Sequence, residues 1–398
     1  MKKLLVITSR FPFPLDKGDK LRAYHQIKQL SNYYQIQLVC LTDQDVNHKQ
    51  KEELSKYCHT ITVFKLTKLQ LLLNLFRALF TKKPIQVAYF YQKKYHKKIK
   101  QIIDSFNPDH IYCQLVRCAE YVKDSYGINK TIDYMDTLSK GVERRIPSAS
   151  KIVRPILRIE ANRLKRYENV IYDYFDHHTI ISEQDQELVF LENRENIAII
   201  PNGIDINYFE PQKKEKKYNL LFNGNMQYEP NVNSALFIVK EILPLVHKRE
   251  PNVNLLISGT SPTKEIKQLA SDKVEVSGWL SDIRDAYNSA EIFIAPMQIG
   301  TGLQNKLLEA MAMELPCITS KLANNALQAT PNESILIGQT PQDYADLIIE
   351  LLNNDKLASD IALSGKKYVQ STFSWEESSK RLYQVMEDHD AHPQKAVN

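Results

Sequence analysis

The sequence predicts an α/β protein built as two doubly wound units, and three observations carry that expectation. Short apolar runs alternate with helical stretches, as a parallel sheet with crossover helices requires. The alternation occurs twice, on either side of PNGIDINYFEPQKKEKKY (201–218), whose Pro-Asn-Gly turn and charged run lead into a fresh strand. With 398 residues and 43% hydrophobic content the chain can bury two cores of ordinary size, whereas one core would be unusual at this length.

Taken in order, the first half offers KLLVIT (3–8), IQLVCL (36–41), TITVF (60–64), HIYCQL (110–115), KTIDYM (130–135) and HTIIS (178–182) as strands. The second half repeats the alternation with NLLFNG (219–224), VNLLISG (253–259), VEVSG (274–278), EIFIAP (291–296), PCITS (316–320) and SILIG (334–338). After these, SWEESSKRLYQVMED (374–388) places Ser374 three residues before Glu377, the spacing of a capping box, and so opens a terminal helix. The expected domains are 1–200, a linker at 201–217, a second domain at 218–373, and a terminal helix and tail at 374–398. No tandem repeat or low-complexity tract interrupts this order.

Composition narrows the setting. Cys40, Cys58, Cys113, Cys118 and Cys317 show no C-x-x-C spacing, and Cys40, Cys113 and Cys317 lie in apolar strand-like runs, which suits buried thiols in a reducing cytoplasm. The apolar run after Met1 is too short for a signal-peptide core. No stretch reaches the roughly 18 to 20 apolar residues that span a bilayer. A cytoplasmic protein, soluble or peripheral on the inner face of the membrane, is expected. No nucleic-acid partner is expected.

The most informative stretch is APMQIGTGLQNKLLEAMAMELPCITS (295–320). EIFIAP reads as a buried parallel strand, and a helix should follow, beginning near Leu303. In the connecting loop Gly300 and Gly302 flank Thr301, so backbone amides can approach an anion where a side chain would obstruct it. Free amides at the helix start add partial positive charge. Lys306 and Glu309 are three apart and share a face, so an ammonium can meet a diphosphate while a carboxylate accepts hydrogen bonds from a diol such as ribose. The alternative is an ordinary surface ion pair between the two.

This segment resembles the donor-site signature of glycosyltransferase family 4, retaining enzymes of the GT-B fold, whose usual form is Glu-x7-Glu followed by A-M-A-x-G-x-P-V. The second Glu of the motif is Glu309. The first falls at Thr301, so the chain shows instead the variant G-x-G-x-x-x-K-x-L-E-A. Further resemblance lies in RFPFPLDKGDKLRAYHQIKQL (10–30), IDYMDTLSKG (132–141), IPNGIDINYFEP (200–211), FNGNMQYEPNVNS (222–234) and SGWLSDIRDAY (277–287). The chain is most similar to the subgroup of sugar transferases associated with exosortase-type exopolysaccharide loci.

The resemblance implies a GT-B architecture: two Rossmann-like domains facing a cleft, with the C-terminal helix returning to the N-terminal domain. The donor site would lie on the C-terminal domain, with Gly224 and Asn225 at one strand end, Ser258 and Gly259 at another, and Trp279 and Leu280 after Gly278. In the family an Arg and a Lys often follow the first of these strands. FNGNMQYEPN has no cation there, which places more weight on Lys306. From the N-terminal domain the family's glycine loop corresponds to SRFPFPLDKGDKLR (9–22), making Gly18 and Arg22 candidates for phosphate or acceptor contact. A basic surface turn capped by Asp19 is the alternative. Asp136, or its neighbour Asp133, is the candidate for orienting or deprotonating the acceptor hydroxyl, and a plain helix cap is the alternative.

The implied activity is retaining transfer of a sugar from a nucleotide-sugar to a glycan or lipid-linked acceptor in exopolysaccharide or cell-surface polysaccharide synthesis. A lysine and aligned amides can stabilise the departing phosphate without a metal, so no divalent ion or other cofactor is expected. Asp43-Gln44-Asp45 matches an Asp-x-Asp metal motif, but sits in a chain with no other feature of metal-dependent GT-A transferases. A nucleotide-sugar epimerase of the same fold and a non-catalytic nucleotide-sugar scaffold are the competing readings. A Rossmann dehydrogenase is disfavoured because no G-x-G-x-x-G follows the first strand. Finally, residues 61–100 hold ten Lys or Arg and no Asp or Glu around LQLLLNLFRALF (69–80). That composition suits peripheral contact with an anionic membrane, against a core-packed helix with a solvated basic flank.

Overall fold

The computed structural model describes residues 1–147, 149–191, 194–299 and 302–388. The chain divides into two compact units: residues 1–201 together with the segment from Trp375 onward, and Asn202–Ser374. Each is an α/β unit on one parallel sheet.

The first unit contains β1 (Lys2–Thr8), β2 (Tyr34–Thr42), β3 (Thr60–Lys65), β4 (His110–Gln114), β5 (Asn129–Met135), β6 (His177–Ile180) and β7 (Ala198–Ile199). Their order is β3-β2-β1-β4-β5-β6-β7, and every neighbouring pair is parallel. Such a sheet is covered on both faces, so its strands are apolar throughout rather than alternating. The two faces divide adjacent residues between them. Leu5, Ile7, Val39 and Ile111 belong to one buried cluster, while Leu4, Val6, Leu38 and Tyr112 belong to the other.

The helix Trp375–Glu387 completes the second of these clusters with Leu382 and Met386. It lies on the helix Gly18–Leu30, where the Trp375 indole stacks on His25 with ring centroids 4.7 Å apart. At its far end Tyr34 donates a 2.6 Å hydrogen bond to Glu387, which also pairs with Lys2. The return of the terminal helix to the N-terminal unit therefore rests on apolar burial, ring stacking and an anchored last turn.

The second unit contains β8 (Tyr218–Asn223), β9 (Leu255–Ser258), β10 (Val274–Gly278), β11 (Ala290–Ala295), β12 (Cys317–Ser320) and β13 (Leu336–Gly338). The order is β10-β9-β8-β11-β12-β13, again all parallel. Strand order reverses between β8 and β11, which opens a crevice beyond their carboxyl ends, the usual ligand position in open sheets of this kind. The chain enters and leaves this unit side by side, since the Ile204 amide donates to the Phe373 carbonyl at 2.7 Å.

All twelve anticipated strands are present; β7, two residues at the sheet edge, is the addition. The five cysteines are buried and unpaired. Among the described residues, no helix is long and apolar enough to cross a membrane.

Candidate functional site

At the reversal point of the second unit, backbone comes unusually close to backbone. Gly224 follows β8 with φ 154° and Gly259 follows β9 with φ 133°. A Cβ on Gly259 would stand 1.8 Å from the Gly224 carbonyl oxygen, so no other residue fits there without moving the main chain. The Gly224 amide donates to Ser258 and the Gly259 amide to Gly278, holding three strand ends together. A Cβ on Gly224 would meet the Asn231 amide at 2.6 Å and the Lys306 ammonium at 3.0 Å, which shows how tightly that lysine lies against the main chain.

Lys306 projects from the helix Asn305–Ala312, whose N-cap residue Gln304 makes no side-chain cap. Its Nζ donates to Asn231 Oδ1 at 2.5 Å and stands 4.6 Å from the centroid of the Phe222 ring. Asn231 is itself oriented, because its Nδ2 donates to the Asn225 carbonyl at 2.9 Å. One turn on, Glu309 Oε2 accepts from the Tyr287 hydroxyl at 2.7 Å, and that hydroxyl accepts from Asn223 Nδ2 at 2.7 Å. Lys306 and Glu309 thus turn to different partners instead of to each other. Glu309 Oε1 has no hydrogen bond among the described residues and can accept from a ligand.

Both side chains are half-buried. Burial pulls the Lys306 ammonium down to about 7, with Glu309 opposing. Burial pushes the Glu309 carboxyl up to about 7, with Tyr287 and Lys306 opposing. A lysine short of hydration can gain from a nearby anion, and a carboxylate fixed at one oxygen by a phenol can accept hydrogen bonds at the other. The buried Ser258 hydroxyl, at the end of β9, makes no hydrogen bond among the described residues.

The other expected donor residues divide. Gly300 and Thr301 lie outside the described residues. Gly302 has open space where a Cβ would stand. The helix begins at Asn305 rather than near Leu303, and the Leu303 side chain packs on the core, so its contribution to an anion site is through backbone. Asn225 is exposed and positions Asn231 through its carbonyl. Trp279 is exposed beside Gly278, while Leu280 packs partly on the core. Tyr287, Asn223 and Asn231 were not anticipated. They lie inside motifs already quoted, but their roles depend on β8 lying beside β11, some 70 residues away in sequence.

In the first unit the arginine candidate is corrected. Arg22 is fully buried and donates from Nε to Asp133 Oδ2 at 2.6 Å, from Nη2 to Asp133 Oδ1 at 3.2 Å, and from Nη1 to the Ile200 carbonyl at 2.8 Å. Asp133 also accepts from Tyr112, Thr179 and the Met135 amide. Both side chains are without exposed surface, and each Asp133 oxygen already accepts from two or more donors, so the pair is structural. Gly18 opens its helix and is exposed, with nothing within 4 Å of where a Cβ would be. The N-cap there is Lys17, while Asp19 pairs with Arg10 at 2.5 Å.

Of the two aspartates, only Asp136 reaches solvent. It sits just beyond β5, after Met135 at φ 61°. Lost hydration and the carboxylates of Asp185 and Asp19 push its carboxyl up, to about 6, with Arg117 opposing. The Asp-x-Asp carboxylates have ordinary partners: Asp43 accepts from Tyr89, and Asp45 pairs with Lys65.

Comparison with known proteins gives a concordant picture. Residues 217–354 match the family model described as glycosyl transferases group 1. Over 409 aligned positions the chain is 22% identical to an uncharacterized 44.6 kDa protein in the cps region of Klebsiella pneumoniae, covering 96% of this chain and 98% of that one. Sucrose-phosphate synthase from Thermosynechococcus elongatus superposes with a TM-score of 0.69 at 15% identity, over 97% of this chain and 98% of the other. Anabaena HepE in complex with UDP-glucose superposes with a TM-score of 0.67 at 15% identity, over 97% and 99%. These structural likenesses identify the fold as GT-B-like.

Proposed function

We propose that the protein transfers a sugar from a nucleoside diphosphate sugar to a glycan or lipid-linked acceptor during cell-surface polysaccharide synthesis, with retention at the anomeric carbon. The observation that carries the reading is the placement of Lys306 and Glu309 at the β8/β11 reversal point, with Lys306 held against Gly224 and one Glu309 oxygen unengaged. The group 1 glycosyl transferase match over 217–354, the cps-region relative and the UDP-glucose complex of HepE support it.

In this reading the diphosphate lies over Gly224 and the amides leading into the helix Asn305–Ala312, where Lys306 meets the charge that grows on the leaving phosphate. Glu309 accepts from the ribose diol. Retention follows if the acceptor attacks from the face the leaving group departs, with that phosphate helping to remove the hydroxyl proton. Asp136 is the candidate for orienting the acceptor. Lysine and amides supply the charge stabilisation, so the reading requires no metal.

A thermal-shift screen of UDP-, GDP-, ADP- and dTDP-sugars identifies the donor, since a ligand raises apparent stability as its concentration exceeds Kd. Release of nucleoside diphosphate should then require acceptor and persist in EDTA. Release without acceptor and with an isomerised sugar would indicate an epimerase. Binding with no release under any condition would indicate a scaffold.

A further inference from the structure

The helix Lys68–Leu79 is apolar on two faces, and only one of them is covered. Leu71 and Ala78 are buried, whereas Leu69, Leu72, Leu73 and Phe76 stand in solvent, with Phe76 63% exposed. Phe80, 76% exposed, continues the stripe just past the helix end and meets Phe76 edge-on at 5.2 Å. These residues recur at 69, 72, 73, 76 and 80, the spacing of one helix face. A soluble monomer seldom leaves such a stripe open without a partner for it.

A second stripe runs up to it. On the helix Arg154–Tyr172 and the turn before it, Ile152, Ile156 and Ile159 are exposed at the spacing of one face, with Ile152 84% exposed. The next residue on that face is Arg163, which donates to the carbonyl of Ala78, at the end of the first helix, at 2.8 Å. Glu160 accepts from the amides of Ile85 and Gln86, tying the same helix to the segment just beyond. Charge frames both stripes. Lys68, Arg77 and Lys82 flank the first, and Lys151, Arg158 and Arg166 accompany the second, all exposed. Glu160, the one acid between 151 and 166, is buried in its capping role.

We propose that these two helices form a single docking surface for an anionic lipid bilayer, lying in the interface with their leucine, isoleucine and phenylalanine side chains inserted. An exposed apolar stripe alone could suit a second copy of the chain. The ring of basic residues around it, with no exposed acid in the two segments, is complementary to an anionic leaflet and repels a like-charged copy. The proposal does not depend on the enzymatic reading, since it involves none of the residues of the donor site.

Flotation of the full chain with vesicles of phosphatidylcholine alone, or mixed with phosphatidylglycerol, tests it. Binding should favour the anionic vesicles, weaken with salt, and lose roughly fivefold for each flanking charge removed, as in Arg77→Gln or Arg158→Gln. Phe76→Glu should weaken binding roughly tenfold or more, and so should Ile156→Glu. Both positions are exposed, and unchanged melting temperatures would confirm folding. Equal binding to neutral and anionic vesicles would overturn the proposal. An unaffected Ile156→Glu would overturn the joint surface, and a solution dimer broken by Phe76→Glu would assign the surface to a second copy.

Discussion

Replacing Lys306 by methionine should make the protein more stable and nearly inactive. The ammonium is pulled from 10.5 to about 7 by burial, with Glu309 opposing. Unfolded chains protonate this amine as pH falls through about 10.5, folded chains only near 7. The penalty is therefore absent above that window, grows within it, and is complete at and below about 7. A tenfold change in protonation equilibrium corresponds to about 1.4 kcal/mol, so the full displacement would amount to about 5 kcal/mol. Partial solvent access screens this to about 2 to 3 kcal/mol. Leaving Asn231 without its partner and Glu309 without its nearby cation cancels about 1 kcal/mol. Lys306→Met should then gain about 1 to 2 kcal/mol at pH 7, a melting-temperature rise of roughly 2 to 8 °C for a unit of this size. The gain should shrink toward pH 10. Turnover should fall roughly 100-fold or more, the scale of losing one preorganised electrostatic contact. Parallel melts from pH 6 to 10, with nucleoside diphosphate release measured on the same samples, decide it. A variant no more stable than wild type at pH 7, or a difference that grows with pH, would refute the reasoning.

Glu309→Gln should mainly raise the donor KM, because the diol contact is common to ground and transition states. In the wild type, donor affinity should fall as pH drops below about 7 and Glu309 protonates, and should fall again above about 7 as Lys306 loses its charge; isothermal titration across that range would reveal the maximum. Gly259→Ala places a methyl 1.8 Å from the Gly224 carbonyl at φ 133°, and chemical denaturation should register a loss of about 3 kcal/mol or more. Arg22→Met leaves the buried Asp133 without its cation, so about 3 to 5 kcal/mol of stability should disappear. A well-folded Arg22→Met with selectively impaired turnover would restore Arg22 to the site.

How far the site was legible depends on the range of the interaction. Strands were readable because parallel sheets covered on both faces demand unbroken apolar runs, whereas β7 is too short to leave a pattern. That Lys306 and Glu309 share one helix was readable because helical spacing is local. Arg22 was misjudged by weighing its charge above its position. Arg22, Gln26 and Leu30 follow one another every four residues on the buried face of their helix, and that spacing pointed inward. Asn231 and Tyr287 acquire their roles from the adjacency of β8 and β11, which no local pattern announces.

The segment Asn202–Ser374 interrupts a unit that is not finished until the chain resumes at Trp375. Leu382 and Met386 belong to the same cluster as Leu4 and Val6, so β1 shares its core with a helix made only after the whole intervening segment. During synthesis at about 5 to 20 residues per second, the intervening segment delays that meeting by roughly 10 to 35 seconds. The inserted unit, whose ends already lie together at Ile204 and Phe373, can complete its own sheet in that interval. Until then the face of the first helix that carries His25 and receives Trp375 stands open to solvent. Truncation before Trp375 should trap it in that state.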